Sequence, residues 1–358
     1  MIIDKTKGDP AAPFGNSFPV RAASMLFGAA VSIRNALYES LPFLSCKADR
    51  PVISIGGLRA GGTGKTPVAL MVGEYLSSKG FDVAFLSRGY RRKDRGLRIV
   101  KPHENASWLE TGDEPRLLHE RLPQSWLGIG ADQCTTAARL SKLLPERAVF
   151  VLDDGFQHRA IRRDLDIVCL HDSLLDERLI PCGWLREPAG ALSRARAALI
   201  IGAADRTDAM EALRSTLSKR FPGLCIAVLF QEPGLWTNAG NGRTAPVPLV
   251  KNPLLVCGIA RPERFIAMVR KAGITPCAER IFPDHHRYGI HDFGENRKLY
   301  SNGIITTEKD AGRLKTLENV PADKLWYCGV TLRFADEKQR ESLFSLIDAY
   351  VKLKEKQT

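Results

Sequence analysis

Short apolar runs alternate along the chain with stretches whose apolar positions recur every three or four residues. A continuous apolar run predicts a strand buried on both faces, and the three-to-four spacing predicts a helix with one buried face. On this reading strands cover 51–56, 81–87, 126–130, 148–154, 165–170 and 197–202. Helices cover 66–78, 113–121, 132–144 and 207–221. The rhythm weakens over 231–251, rich in Gly, Pro and Asn, which reads as a linker. A second set follows, with strands at 254–260, 303–309 and 324–330 and helices at 262–273 and 336–351. The expected fold is α/β: a sandwich of helices around a mostly parallel sheet, then a smaller C-terminal α/β domain. The expected boundaries are an N-terminal helical region over 1–45, a first domain over 46–235 and a second over 236–358.

The N-terminal region carries its own pattern. The opening stretch MIIDKTKGDP is polar as a whole, so no cleavable signal is expected. The stretch 22–33 has no charge and is bounded by Arg21 and Arg34. It is shorter than the roughly 20 apolar residues that a spanning helix needs. Leu26, Ala30, Ile33 and Leu37 share one helical face, with Arg21 and Arg34 able to snorkel. Two readings fit: a helix lying in a membrane interface, or an ordinary helix packed on the domain.

Charge narrows the partners. Fifty-two Lys and Arg against forty Asp and Glu leave +12, which favours polyanions or an anionic surface. No RNA-recognition aromatic pattern accompanies it, so nucleic acid is not expected. The eight cysteines contain no C-x-x-C pair. Those in apolar runs, such as Cys169 and Cys257, read as small buried hydrophobes in a reducing compartment.

The chemistry begins at GGLRAGGTGKTPVAL, residues 56–70. A strand, a glycine-rich turn and a helix follow one another there, as phosphate binding requires. Gly61, Gly62, Thr63 and Gly64 would aim backbone N–H groups at phosphate oxygens, Lys65 would reach the terminal phosphates, and Thr66 would bind Mg²⁺. Arg59 stands where the signature G-x-x-x-x-G-K-[ST] has its first glycine. Downstream, an apolar strand ends in Asp153-Asp154, where a carboxylate can meet the metal directly or through water. Both could also be plain turn formers before Gly155.

GGTGKTP, SRGY, GDEP, GADQ, DDGFQHR, RDLDIV, REP, PERF, FPDHH and TEKD occur in that order. Together they resemble the tetraacyldisaccharide 4′-kinase family over nearly the whole chain. The resemblance implies transfer of the γ-phosphate of ATP to the 4′-hydroxyl of a tetraacylated disaccharide 1-phosphate in lipid A biosynthesis. It implies Mg²⁺ as cofactor, a glycolipid acceptor, and a peripheral protein on the cytoplasmic face of the bacterial inner membrane. Matched residue by residue, it implies Asp113 as the catalytic aspartate, paired with a histidine from FPDHH, here His285 ahead of His286. Asp153, Asp154 and His158 fall around metal and phosphates, and Arg186 and Glu187 form a further nucleotide- and metal-side pair. Arg88, in SRGY, would meet the acceptor. The family often has Asn at Gly57 and a small hydroxyl residue at Arg59.

The plainer alternatives stay open at this stage. Asp113 could be a helix N-cap, and His285 and His286 a surface turn or a metal pair. The basic loop over 87–98 could face a phosphate or only solvent. His171 and His291 carry no motif and are set aside. The alternative function is a nucleotidase that acts as a switch or chaperone for a partner protein. TEKD, residues 307–310, lacks the N-K-x-D spacing that reads guanine.

Overall fold

A computed structural model describes residues 15, 17–89, 92, 96–293 and 301–355. Tyr90, Arg91, Lys93 and Arg95 of the basic loop lie outside the described residues, as does the polar start of the chain. The first eight strands are β1 (Val52–Gly57), β2 (Asp82–Ser87), β3 (Arg98–Val100), β4 (Trp126–Ile129), β5 (Ala148–Asp153), β6 (Leu165–Leu170), β7 (Ala197–Gly202) and β8 (Cys225–Asn238). Five more follow: β9 (Thr244–Ala245), β10 (Leu254–Cys257), β11 (Ala278–Ile281), β12 (Ile304–Thr307) and β13 (Leu325–Phe334). The helices are α1 (Phe18–Ser40), α2 (Lys65–Ser78), α3 (Trp108–Thr111), α4 (Asp113–Arg121), α5 (Gln133–Ser141), α6 (Thr207–Arg220), α7 (Pro262–Lys271), α8 (Glu308–Leu314) and α9 (Glu337–Glu355).

All these strands join one sheet, in the order β11-β10-β12-β13-β8-β7-β6-β1-β5-β2-β4-β3, with β9 on β8. The pairing is parallel except where β3 meets β4 and where β8 meets β9 and β13. Central strands β1, β5, β6 and β7 are buried at every position. Their alternate residues feed two cores. Ile53, Ile55, Val149, Val151, Ile167 and Leu199 pack with residues of α2, α4 and α9 on one face. On the other face Val52, Phe150 and Leu152 pack with α5, while Val168, Ala198 and Ile200 pack with α6. Strands covered on both faces need no polar alternation, which is why they read as continuous apolar runs.

The expected linker begins as strand. Residues 225–230 of β8 pair parallel with β7, and residues 229–238 pair antiparallel with β13. Pro233 is tolerated because it sits where the register shifts, between Cys328 and Val330 on β13. The chain thus passes from one set of strands to the other without leaving the sheet. Both sets present their carboxyl ends to the same region, where α/β sheets carry ligands.

Helix α1 packs on one side only. Ser24 Oγ donates to the Leu179 carbonyl at 3.0 Å, and Val31 is buried. Phe18, Met25, Leu26, Ile33 and Leu37 stay exposed. Arg34 does not snorkel outward. It turns inward to the buried Glu187, 3.5 Å away. Among the described residues no helix is long and apolar enough to cross a membrane.

The cysteine expectation needs one correction. Cys169 and Cys257 are buried in β6 and β10, but Cys46 and Cys134 form a disulfide. Neither of that pair belongs to a core strand. Cys46 follows α1 and bridges to Ile161, its N–H bonded to the Ala160 carbonyl, which brings it beside the first turn of α5.

Candidate active site

The turn between β1 and α2 is built by backbone that only glycine adopts readily. Gly61, Gly62 and Gly64 have φ of +74°, +47° and +77°, in the left-handed region. At the end of this turn α2 opens at Lys65, with the positive end of its dipole at the turn. Thr63 is buried and its Oγ1 has no hydrogen-bond partner among the described residues. Lys65 and Thr66 stand in the first turn of the helix.

Arg59 does not disturb this turn; it anchors it. Its guanidinium is buried and lies 2.8 Å from Glu177, above the Trp184 ring at 5.8 Å. Its backbone pairs with Leu185, and Ala60 N–H donates to the Trp184 carbonyl. A buried arginine paired with a carboxylate fixes a loop where a first glycine would leave it free.

Strand β5 ends at Asp153, beside the turn. Asp154 follows with a φ of +54°, unusual for a residue with a side chain. Its carboxylate is taken by Arg186 Nη1, at 3.0 and 2.8 Å from the two oxygens, with Lys65 Nζ 3.5 Å away. Burial would raise its pKa, but Lys65 and Arg186 overcome that and hold it below the usual carboxylate range. Asp153 behaves in the opposite way. Burial first, then the charges of Asp154 and Glu114, push it up to about 7. Its Oδ1 is buried and has no partner among the described residues. His158 lies in the turn after this strand, its Nε2 buried without a partner among the described residues. Burial, and then the Arg88 and Arg163 charges, lower its pKa. Arg88 itself is exposed at the end of β2.

Glu187 goes elsewhere. It is fully buried, but Arg194 at 3.0 Å and Asn35 Nδ2 at 2.6 Å hold its carboxylate against α1. The structure thus gives Glu187 to the N-terminal helix, while its neighbour Arg186 goes to Asp154.

Asp113 is the first residue of α4, and Gly112 occupies the cap position. Asp113 Oδ2 lies 2.9 Å from His285 Nδ1, a residue 172 positions away. His285 has a φ of +61°, a second strained residue in the site. His286 faces away: it pairs with Asp292 at 2.9 Å and stacks on Phe282. Burial would raise the Asp113 pKa, yet the His285 bond and the Arg313 and Lys309 charges bring it below the ordinary range.

Helices α4 and α8 make this meeting possible. Gly312, mid-helix in α8, is a poor helix former, but a Cβ there would collide with Arg116 Nη1. Its bare backbone lets α4 dock closely, which brings Asp113 and Glu114 to His285 and Lys309. Sequence reasoning missed Lys309 and Glu114, although both lie in motifs it had singled out, TEKD and GDEP. It also set His171 aside. His171 Nε2 accepts from Arg261 at 3.1 Å and Arg264 at 2.8 Å. The Arg261 side chain runs beside Gly62, so α7 reaches the glycine turn.

A family model described as tetraacyldisaccharide-1-P 4′-kinase (LpxK) matches residues 17–348. A tetraacyldisaccharide 4′-kinase of Chlorobaculum parvum is 35% identical over 315 residues, 83% of this chain and 84% of the relative. One of Anaeromyxobacter sp. is 37% identical over 320 residues, 83% and 82% of the two chains. A crystal structure of LpxK from Aquifex aeolicus in complex with ATP superposes with a TM-score of 0.74 at 29% identity, covering 93% of this chain and 98% of that one. With this fold and this match over nearly its whole length, the chain belongs to the tetraacyldisaccharide-1-P 4′-kinase family.

Proposed function

We propose that the chain transfers the γ-phosphoryl group of ATP to the 4′-hydroxyl of a tetraacyldisaccharide 1-phosphate through the Asp113–His285 pair. The observation that carries this reading is the 2.9 Å hydrogen bond between them, set across the junction of the two strand sets. ATP is the donor by kinship with the Aquifex aeolicus enzyme, whose structure holds it. Residues 61–66 form the phosphate loop, with Lys65 on the terminal phosphates and Arg186 beside Asp154. Asp113 orients the imidazole so that His285 Nε2 accepts the proton of the acceptor hydroxyl as its oxygen attacks phosphorus. Positioning and charge stabilisation supply most of the acceleration, since phosphoryl transfer asks for little covalent help. Residues 46–235 and 236–358 act as two lobes whose approach completes the site.

Mg²⁺ fits this site. Asp154 is occupied by Arg186 and Lys65, whereas Asp153 has a buried, unpartnered oxygen next to a second carboxylate. Asp153 and Thr66 would hold the ion, with phosphate oxygens and water completing its shell. It would supply charge to the developing transition state. Arg88 faces the acceptor from the end of β2, and the glycolipid's acyl chains stay in a membrane.

The exposed apolar face of α1 and the +12 charge support a peripheral place on an anionic membrane surface. ATP as donor puts that surface on the cytoplasmic side of the inner membrane.

Three expectations follow from these assignments. Phosphate should move from ATP to a detergent-dispersed tetraacyldisaccharide 1-phosphate, and Asp113→Ala should cut kcat by about 10²-fold while barely changing the ATP KM. ATP turnover that ignores the glycolipid and responds to a protein partner would sink the kinase reading.

The second concerns pH. The Asp153 pKa is raised on folding, so its protonated form stabilises the fold below about pH 4 and that contribution disappears as pH rises through about 7. In chelator, without nucleotide, Asp153→Asn should therefore melt near wild type at pH 5 or slightly above it, and clearly above it at pH 8, by on the order of 5 °C. A gap that does not change with pH contradicts the assignment of a costly buried charge.

The third concerns the membrane. Leu26→Asp with Ile33→Asp should abolish co-sedimentation with phosphatidylglycerol vesicles and leave ATP binding intact. Undiminished sedimentation would remove α1 from the membrane contact.

A further inference from the structure

The imidazole of His285 has different company at each nitrogen. Nδ1 faces Asp113, whose ionised carboxylate can only accept, so Nδ1 carries the hydrogen. Nε2 faces one donor, Lys309 Nζ at 3.2 Å, and two carboxylates, Asp284 at 3.6 Å and Glu114 at 3.7 Å. The donor is the nearest of the three. Resting on the dyad reading above, we propose that Lys309 is a positioning residue of the Asp113–His285 pair: it keeps Nε2 unprotonated, with its lone pair available to the acceptor hydroxyl.

The surroundings make Lys309 suited to this. Glu114 at 2.9 Å and Asp284 at 3.6 Å tether the ammonium, and both come from elements other than its own helix α8. Burial would discharge the lysine, but the Glu114, Asp284 and Asp113 charges more than compensate and keep it an ammonium. Arg313, also on α8 and 3.7 Å from Asp113, adds a second positive charge on the aspartate side. The charged groups around the ring are thus Asp113 and Glu114 from α4, Asp284 from its own loop, and Lys309 and Arg313 from α8. Without Lys309, the Asp284 and Glu114 carboxylates are left near Nε2 among the described residues. Nε2 then takes a proton to satisfy them, and an imidazolium has no lone pair for the acceptor. When the hydroxyl arrives it takes over Nε2, and the ammonium stays in place on Glu114 and Asp284.

The test combines a pH profile with a direct view of the ring. Lys309→Met should lower kcat at neutral pH by about tenfold and leave the ATP KM within a few-fold. Its acid limb should move up by about two pH units, across neutrality, so that activity recovers in alkaline buffer. Lys309→Arg keeps the charge and should keep the limb in place. In parallel, ¹⁵N-histidine NMR of the full chain, assigned with His285→Ala, should show His285 at pH 7 with only Nδ1 protonated. In Lys309→Met both nitrogens should be protonated. A loss of kcat by one factor at every pH, a shifted limb in Lys309→Arg, or an unchanged His285 spectrum in Lys309→Met would overturn the proposal. Should Lys309→Met fail to fold, Lys309→Arg and the wild-type spectrum decide it: Nε2 protonated in either contradicts the role. The spectra need no turnover, so failure of glycolipid phosphorylation would remove the kinase reading and still leave the Lys309 assignment to be judged.

Discussion

The site depends on a single constraint: Asp113 and His285 lie 172 residues apart and must meet within hydrogen-bond distance. Local propensity cannot do that. The sheet does, because β8 pairs with β7 at one end and with β13 at the other, which locks the two strand sets into one frame. Within that frame α4 docks on α8 through the bare backbone of Gly312. The helix ends that carry Asp113, Glu114 and Lys309 are then fixed relative to the loop that carries His285. On the proposed function, a dyad spread over both sets forms only where both are in place, which suits an enzyme that should not spend ATP on water.

Charge is divided with similar economy at the phosphate end. Two adjacent carboxylates would repel each other if both were ionised and bare. Asp154 is neutralised by Arg186 and Lys65, and Asp153 is left buried with its pKa raised. The pair is therefore asymmetric before any ligand arrives. The same segment links outward to the N-terminal helix: Arg186 binds Asp154 while Glu187 binds Asn35 and Arg194. Helix α1 and the turn after β5 are thus joined through two consecutive residues.

Much of this was legible in the chain. The central strands announced themselves because burial on both faces leaves no polar alternation, and α4 was legible from its apolar spacing and the Pro115 start. The glycine turn was legible because left-handed backbone demands glycine. Other features were not. The second half of β8 carries Gln231, Glu232, Pro233 and Gly234, and it is strand only because β13 pairs with it around a register shift. Helix α8 is seven residues long with a glycine inside, so no periodicity could reveal it. Arg59 looked like a departure from the loop signature, and only its burial against Glu177 shows that it is an anchor. Lys309 and His171 act through residues distant in sequence, and spacing alone could not bring out their partners. Glu187 matched a motif, yet its carboxylate serves α1.

The central claim is that Asp113 and His285 work as one unit across the two strand sets. A double-mutant cycle on single-turnover phosphoryl transfer to the glycolipid tests it most directly. The account predicts that Asp113→Ala/His285→Ala is no slower than the slower of the two single variants. Losses that multiply, each residue contributing independently of the other, would contradict it.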